Sequence, residues 1–181
     1  MAKRQGSSKK KILELLEILA FAFILSWGLR SAVVEASTIP TPSMSPTILI
    51  NDRILVDKLY FKFSGIHRGD IIVFNPPKNL ANPTGDPWIK RVIGLPGDTV
   101  QIEDGKVLVN GQALSESYEM AKPDYNYGPL QIPKDSYFVL GDNRNASYDS
   151  HYWGALPAQN VEGRALFRYW PLKEFGLLAK Q

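Results

Sequence analysis

The sequence predicts a mainly β protein, a barrel-like antiparallel sheet behind one N-terminal transmembrane helix. Three observations predict it. Apolar residues dominate positions 12–34. After Glu35 the texture changes to short β-branched and aromatic runs separated by Pro, Gly and Asn, the composition of strands and turns. No second helical period of convincing length follows. The chain of 181 residues has room for one compact domain plus an anchor. It divides into a basic arm over 1–11, an anchor over 12–34 and a β-rich domain over 35–181.

A helix over 12–34 would rise about 34 Å at about 1.5 Å per residue, enough for a hydrocarbon core of roughly 30 Å. Glu14, Glu17 and Arg30 interrupt it and leave 18–29 as its uncharged part. Those charges belong at the two interfaces, with Arg30 snorkelling outward. Lys3, Arg4, Lys9, Lys10 and Lys11 precede the segment with no acid among them, which places the N-terminus on the cytoplasmic or stromal side and the rest across the membrane. The membrane itself, plasma or thylakoid, is left open. A cleaved secretory signal ending near Val34-Glu35-Ala36 is the competing reading. A buried soluble helix would need one apolar stripe, whereas 18–29 is apolar all round.

Strand composition marks Ile54-Leu55-Val56, Ile71-Ile72-Val73-Phe74, residues 89–93, Val100-Gln101-Ile102, Val107-Leu108-Val109, Tyr137-Phe138-Val139-Leu140 and residues 165–169. Glu103-Asp104-Gly105-Lys106 closes a hairpin between Val100 and Val109, and Asn110-Gly111 is a second tight turn. Residues 75–87, with four prolines, read as an exposed loop. Residues 115–134 read as an irregular excursion, and the segment after Trp170-Pro171 as a fraying surface tail.

Composition excludes several chemistries. The net charge of +3 rests on the arm: removing its five cations from the 21 basic residues leaves 16 against 18 acids. The domain has no basic face for nucleic acid. Absence of cysteine excludes a thiol nucleophile, disulfides and thiolate metal sites. His67 and His151 are the two histidines and stand in no metal-ligand spacing, so neither a metal nor an organic cofactor is expected.

Lys90 carries the chemistry. A lysine with a pKa near ~10.4 cannot accept a proton at neutral pH, but burial lowers that value by disfavouring the charge. Trp88, Ile89, Val92 and Ile93 supply apolar surroundings. Upstream, Pro42-Ser43-Met44-Ser45-Pro46-Thr47 holds a serine in a rigid turn just after the anchor. On its own such a turn is a linker. Its company is Asn51-Asp52-Arg53-Ile54-Leu55-Val56-Asp57-Lys58, the Lys90 segment, and the run from Gly141-Asp142-Asn143-Arg144 through Ser147-Tyr148-Asp149-Ser150-His151 to Gly154.

In this order behind an anchor, the four blocks resemble type I signal peptidases, membrane-bound serine–lysine endopeptidases that remove signal peptides from exported proteins. The resemblance implies the signal peptidase and repressor-protease type of β fold. It implies Ser43 as nucleophile, Lys90 as general base, and Ser147 as the hydroxyl orienting the lysine amine. Thr41 and the Ser43 amide would hold the oxyanion, with Thr41 and Pro42 standing where serine and glycine are usual. Asp142, Arg144 and Asp149 would support the site. Ile39, Met44 and Ile89 would line small pockets for an Ala-x-Ala site, or else simply pack in the core. The implied partners are preprotein signal peptides and the lipid bilayer, with no nucleic acid and no metal.

His151 stands where arginine is common and, with the Phe167-Arg168-Tyr169-Trp170-Pro171 ending, resembles cyanobacterial and plastid members. With Asp149 it is also an alternative base for Ser43. Arg91 is expected to pair with a carboxylate, His67 to sit in a turn, and Asp52 and Asp57 to be turn and edge charges. Two other readings remain: a self-cleaving serine–lysine protein of the repressor class, which lacks its scissile dipeptide here, and a membrane-tethered, non-catalytic β binding domain.

Overall fold

The β-rich texture resolves into two antiparallel sheets behind one long helix in a computed structural model that describes residues 5–59, 61–82 and 85–178. The helix, α1 (Gln5–Val33), covers the expected anchor except for Val34, which opens the first strand. Its apolar side chains Leu13, Leu16, Leu19, Phe21, Phe23 and Leu25 are all exposed, pointing in every direction around the axis. Among the described residues no helix is long and apolar enough to cross a membrane. The start of the basic arm, 1–4, and the side chains of 5–9 and 29–34, including that of Arg30, lie outside the described set.

Among the described residues twelve strands follow: β1 (Val34–Thr38), β2 (Arg53–Asp57), β3 (Ile71–Phe74), β4 (Trp88–Gly94), β5 (Thr99–Glu103), β6 (Lys106–Val109), β7 (Gln112–Ala113), β8 (Tyr127–Gln131), β9 (Ser136–Leu140), β10 (Leu156–Pro157), β11 (Val161–Trp170) and β12 (Gly176–Leu177). The larger sheet has the order β1-β2-β11-β3-β4-β9-β10, with β12 paired to β11; the smaller is β7-β6-β5-β8. The large sheet keeps two edges, β1 and β10, so it is an open half-barrel. Register shifts in β11 between Ala165 and Phe167 and between Arg168 and Trp170 are the irregularities that bend a strand and let a sheet curl.

Period-two burial explains the packing. On β3, Ile71 and Val73 join a core with Ile39, Met44, Ile54, Val56 and Ile89, while Ile72 and Phe74 join another with Val92, Val139 and Leu156. Both faces of this sheet centre are therefore covered, which explains the unbroken apolar run. A third core between the sheets holds Ile93, Val100, Ile102, Phe138 and Leu140. The β5–β6 hairpin turns through Asp104 (φ 50°) and Gly105 (φ 68°), the left-handed pair that such a two-residue turn requires.

Three sequence expectations need correction. The segment after the anchor, which is not among the expected strands, is strand β1, paired with β2 from Val34↔Asp57 to Thr38↔Arg53; Val34 and Ala36 alternate with Glu35 and Ser37 over too short a run to stand out. The excursion over 115–134 contains β8, joined to β5. The segment after Pro171 does not fray throughout: β12 pairs Leu177 with Phe167, while 179–181 lie outside the described residues, as do 83–84 of the proline-rich loop.

Candidate active site

Strand β4 places Lys90 in the middle of the large sheet, opposite Ile72 of β3, with only 5% of its surface exposed. Its Nζ lies 2.9 Å from Ser43 Oγ and donates to the Ile89 carbonyl at 2.9 Å. Burial pulls its pKa down from 10.5 to about 8, while the Asp149 and Asp142 carboxylates push the other way. Desolvation wins because no carboxylate touches the amine. A lysine in this state yields a large neutral fraction in mildly alkaline solution, and its amine lies within hydrogen-bonding distance of the serine.

Ser43 sits in a 3-10 turn, Pro42–Met44. Pro42 fixes φ at the first position of the turn, where no amide donor is needed. The Thr41 hydroxyl is 3.2 Å from Ser43 Oγ. The turn is tied to the loop after β9: the Asn143 amide donates to the Ser43 carbonyl at 3.1 Å. Gly141 explains how close these segments come. A Cβ there would collide with the Ser43 carbonyl and the Ser147 side chain, so only glycine fits.

The same loop carries the charges expected to support the site. Asp142 and Arg91 are both fully buried. Arg91 Nε donates to Asp142 Oδ1 at 2.8 Å and its terminal nitrogen to Oδ2 at 2.7 Å, a bidentate fork; Thr47 donates to Oδ2 at 2.5 Å. Arg144 grips Glu116 with two bonds of 2.9 and 2.8 Å and donates from Nε to the Gly141 carbonyl. Asp149 accepts from the Gly141 amide at 2.9 Å and caps the short helix α2 (Ser150–Trp153) through the His151 amide. Arg91 thus pairs with a carboxylate as its flanking sequence suggested.

Beside Ser43 and Lys90 opens a cleft of about 430 Å³, lined by Pro40, Thr41, Pro42, Asp86, Pro87, Trp88, Ile89, Ala146 and Tyr148. Most of this lining is apolar, so the cleft suits an uncharged, extended chain. Of the three residues assigned to pockets, Ile89 lines it. Ile39 and Met44, at 2% and 0% exposure, do not line it but share one buried core cluster with Ile89.

Ser147 also departs from expectation. Its hydroxyl is buried and makes no hydrogen bond among the described residues; it packs against Gly141. The Lys90 amine donates instead to the Ile89 carbonyl, a backbone atom that no side-chain motif advertises. His151 bonds to Asp149 Oδ1 at 2.7 Å and stacks on Tyr125 with centroids 4.0 Å apart, and Lys90 occupies the hydrogen-bonding position beside Ser43. His67 sits in a turn, its amide bonded to Asp70. Asp52 and Asp57 are buried rather than peripheral: Asp52 accepts from Arg168 at 2.8 Å, and Asp57 lies 3.8 Å from Arg164. Sequence reasoning missed Tyr148 and Ala146 as cleft walls; their place within the Gly141-to-Gly154 block was the available signal.

Comparison with known proteins accounts for this arrangement. The family described as signal peptidase, peptidase S26, matches residues 12–170. The chain is 48% identical over 180 residues to signal peptidase I of Leptolyngbya laminosa, spanning 98% of this chain and 89% of that one. It is 48% identical over 177 residues to probable signal peptidase I-2 of Synechocystis sp., spanning 97% and 81%. Against the probable thylakoidal processing peptidase 2, chloroplastic, of Arabidopsis thaliana, identity is 41% over 153 residues, 83% of this chain and 42% of the other. Cyanobacterial and plastid proteins are thus among its relatives, as His151 suggested. On a match that runs from α1 to the end of β11, the chain belongs to the signal peptidase family, peptidase S26, and is an enzyme of the signal peptidase I type, a serine hydrolase.

Proposed function

We propose that this enzyme removes N-terminal signal peptides from exported preproteins by cutting after an Ala-x-Ala-type site, with Ser43 as nucleophile and Lys90 as general base. The observation that carries this reading is the buried Lys90 amine 2.9 Å from Ser43 Oγ. Neutral Lys90 takes the Ser43 proton as Oγ attacks the scissile carbonyl carbon. The Thr41 hydroxyl and the Ser43 amide donate to the oxyanion that forms. As the tetrahedral species collapses, the C–N bond breaks and Lys90 returns the proton to the departing amine. Water then attacks the acyl-enzyme, giving a proton to Lys90; as the C–Oγ bond breaks, Lys90 returns that proton to Ser43 Oγ, and the acid product leaves as a carboxylate after losing its own proton to solvent. One amine performs both transfers that histidine performs in Ser-His-Asp enzymes.

Specificity follows from the cleft. Ile89 and the prolines at 40, 42 and 87 narrow it, which favours alanine-sized side chains, and an extended peptide fits between the Pro40-Thr41-Pro42 segment and Asp86-Pro87-Trp88. Residues 12–34 anchor the enzyme as a single pass, with the arm on the cytoplasmic or stromal side and the β domain on the far side of a plasma or thylakoid membrane. The exposed apolar side chains Ile18, Leu19, Phe21, Phe23, Ile24 and Leu25 of α1 support this placement. The chain from Val34 to Ser43 reaches at most about 30 Å, so Ser43 stays near the bilayer, where a signal peptide ends.

A preprotein carrying an Ala-x-Ala site, incubated with the full chain in detergent, tests the reading. Product sequencing should give a new N-terminus directly after the second alanine, and replacing that alanine by phenylalanine should suppress the cut by about 100-fold or more, since a misfit in a small pocket costs a few kcal/mol. Cutting elsewhere, or equal cutting of both substrates, contradicts it.

A further inference from the structure

The irregular connection between β7 and β8, residues 114–126, has no part in the chemistry above, yet it lies along the loop that carries Gly141 and Asp142. Alternate residues make the contacts, as an extended segment allows. Glu116 clamps Arg144. The buried Tyr118 ring covers the Arg91 guanidinium at 3.8 Å, and its hydroxyl donates to Glu116 at 2.8 Å. The Met120 amide donates to the Asp142 carbonyl at 3.0 Å. Burial, reinforced by Glu116, pushes the Tyr118 pKa up, so the phenol keeps its proton and its bond.

Arg91 directly follows Lys90 on β4, and Asp142 stands between Gly141, where a Cβ would strike the Ser43 carbonyl, and Asn143, whose amide donates to it. The Arg91–Asp142 pair therefore joins the base's strand to the loop after β9, which is bonded to the nucleophile's turn. An aromatic face over a guanidinium attracts it and excludes water, which stiffens the ion pair beneath.

Resting on the Ser43–Lys90 reading, we propose that residues 114–126 are a strut that fixes the distance between these two groups, and that Tyr118 is its positioning residue, acting through Arg91 and Asp142. The ring, rather than the hydroxyl, supplies the cover. Small misplacements of reacting groups lower turnover strongly while leaving substrate binding alone.

The test measures kcat and KM on the Ala-x-Ala preprotein, per folded molecule and well below each variant's Tm, for the full-length wild type, Tyr118→Phe and Tyr118→Leu. Tyr118→Phe should stay within about threefold of wild type, whereas Tyr118→Leu should lose about tenfold or more in kcat with KM nearly constant. A Tyr118→Leu enzyme with lowered Tm but wild-type kcat overturns the proposal, since the segment would then be packing alone. Equal loss in Tyr118→Phe overturns the assignment to the ring. Should Tyr118→Leu not fold, Glu116→Gln replaces it: a fall in kcat at constant KM supports the strut, and wild-type kcat overturns it. A wild type that cuts nothing refutes the functional reading, whereas an active wild type matched by an active Tyr118→Leu refutes the strut alone.

Discussion

Ser43→Ala and Lys90→Ala are each expected to cut turnover on a preprotein by at least about 10⁴-fold, the scale on which hydrolases lose activity when nucleophile or base is removed. The two losses should not add, because the groups act as one unit 2.9 Å apart. Lys90→Arg should be as inactive as Lys90→Ala: a guanidinium stays protonated and has no lone pair to offer. Folding is the control. Lys90 sits in a site that disfavours its own charge, so its removal leaves no buried ion unpaired, and Lys90→Ala should keep a cooperative melt by circular dichroism. A folded Lys90→Ala enzyme with appreciable turnover contradicts the assignment.

The largest stability effect should come from Asp142→Ala. Arg91 has no exposed surface, and Asp142 takes both arms of its fork. Removing one partner of a buried pair strands the other charge, at a typical cost of about 3–5 kcal/mol. For a domain of this size that lowers Tm by roughly 6–20 °C. Thr47 would lose its acceptor as well. Activity should fall too, since Asn143, whose amide holds the Ser43 carbonyl, directly follows the substituted position. Thermal melts of wild type and Asp142→Ala check this; a shift under about 2 °C would mean that Arg91 finds another partner.

The strands seen from sequence were those whose side chains face an apolar core. Ile71-Ile72-Val73-Phe74 and Tyr137-Phe138-Val139-Leu140 are β3 and β9 because burial on both faces demands such runs. β1 and β8 escaped for the opposite reason. Both are largely exposed, and Gly128 and Pro129 in β8 lower its strand propensity; backbone pairing with a neighbour decides them. The site divides in the same way. Ser43, Lys90, Thr41, Asp142, Arg144 and Asp149 carry distinctive chemistry within recognisable blocks, and the fold draws them together across 40 to 100 residues. Ile39 and Met44 look alike in sequence whether they line a cleft or pack beneath it, and three-dimensional context puts them in the core. The Ile89 carbonyl and the Tyr118 ring act through placement, which no local pattern encodes.

The pH dependence of kcat/KM on an Ala-x-Ala preprotein tests most directly the claim that a neutral Lys90 activates Ser43, because that profile reports the free enzyme's base. Protonated Lys90 cannot accept the serine proton, so activity should rise with pH, reach half its plateau near the lysine's lowered pKa of about 8 and level off above it. A limb centred near ~6.5, the ordinary histidine range, would assign the proton transfer to His151, and one near ~10.4 would mean that burial does not tune Lys90 at all.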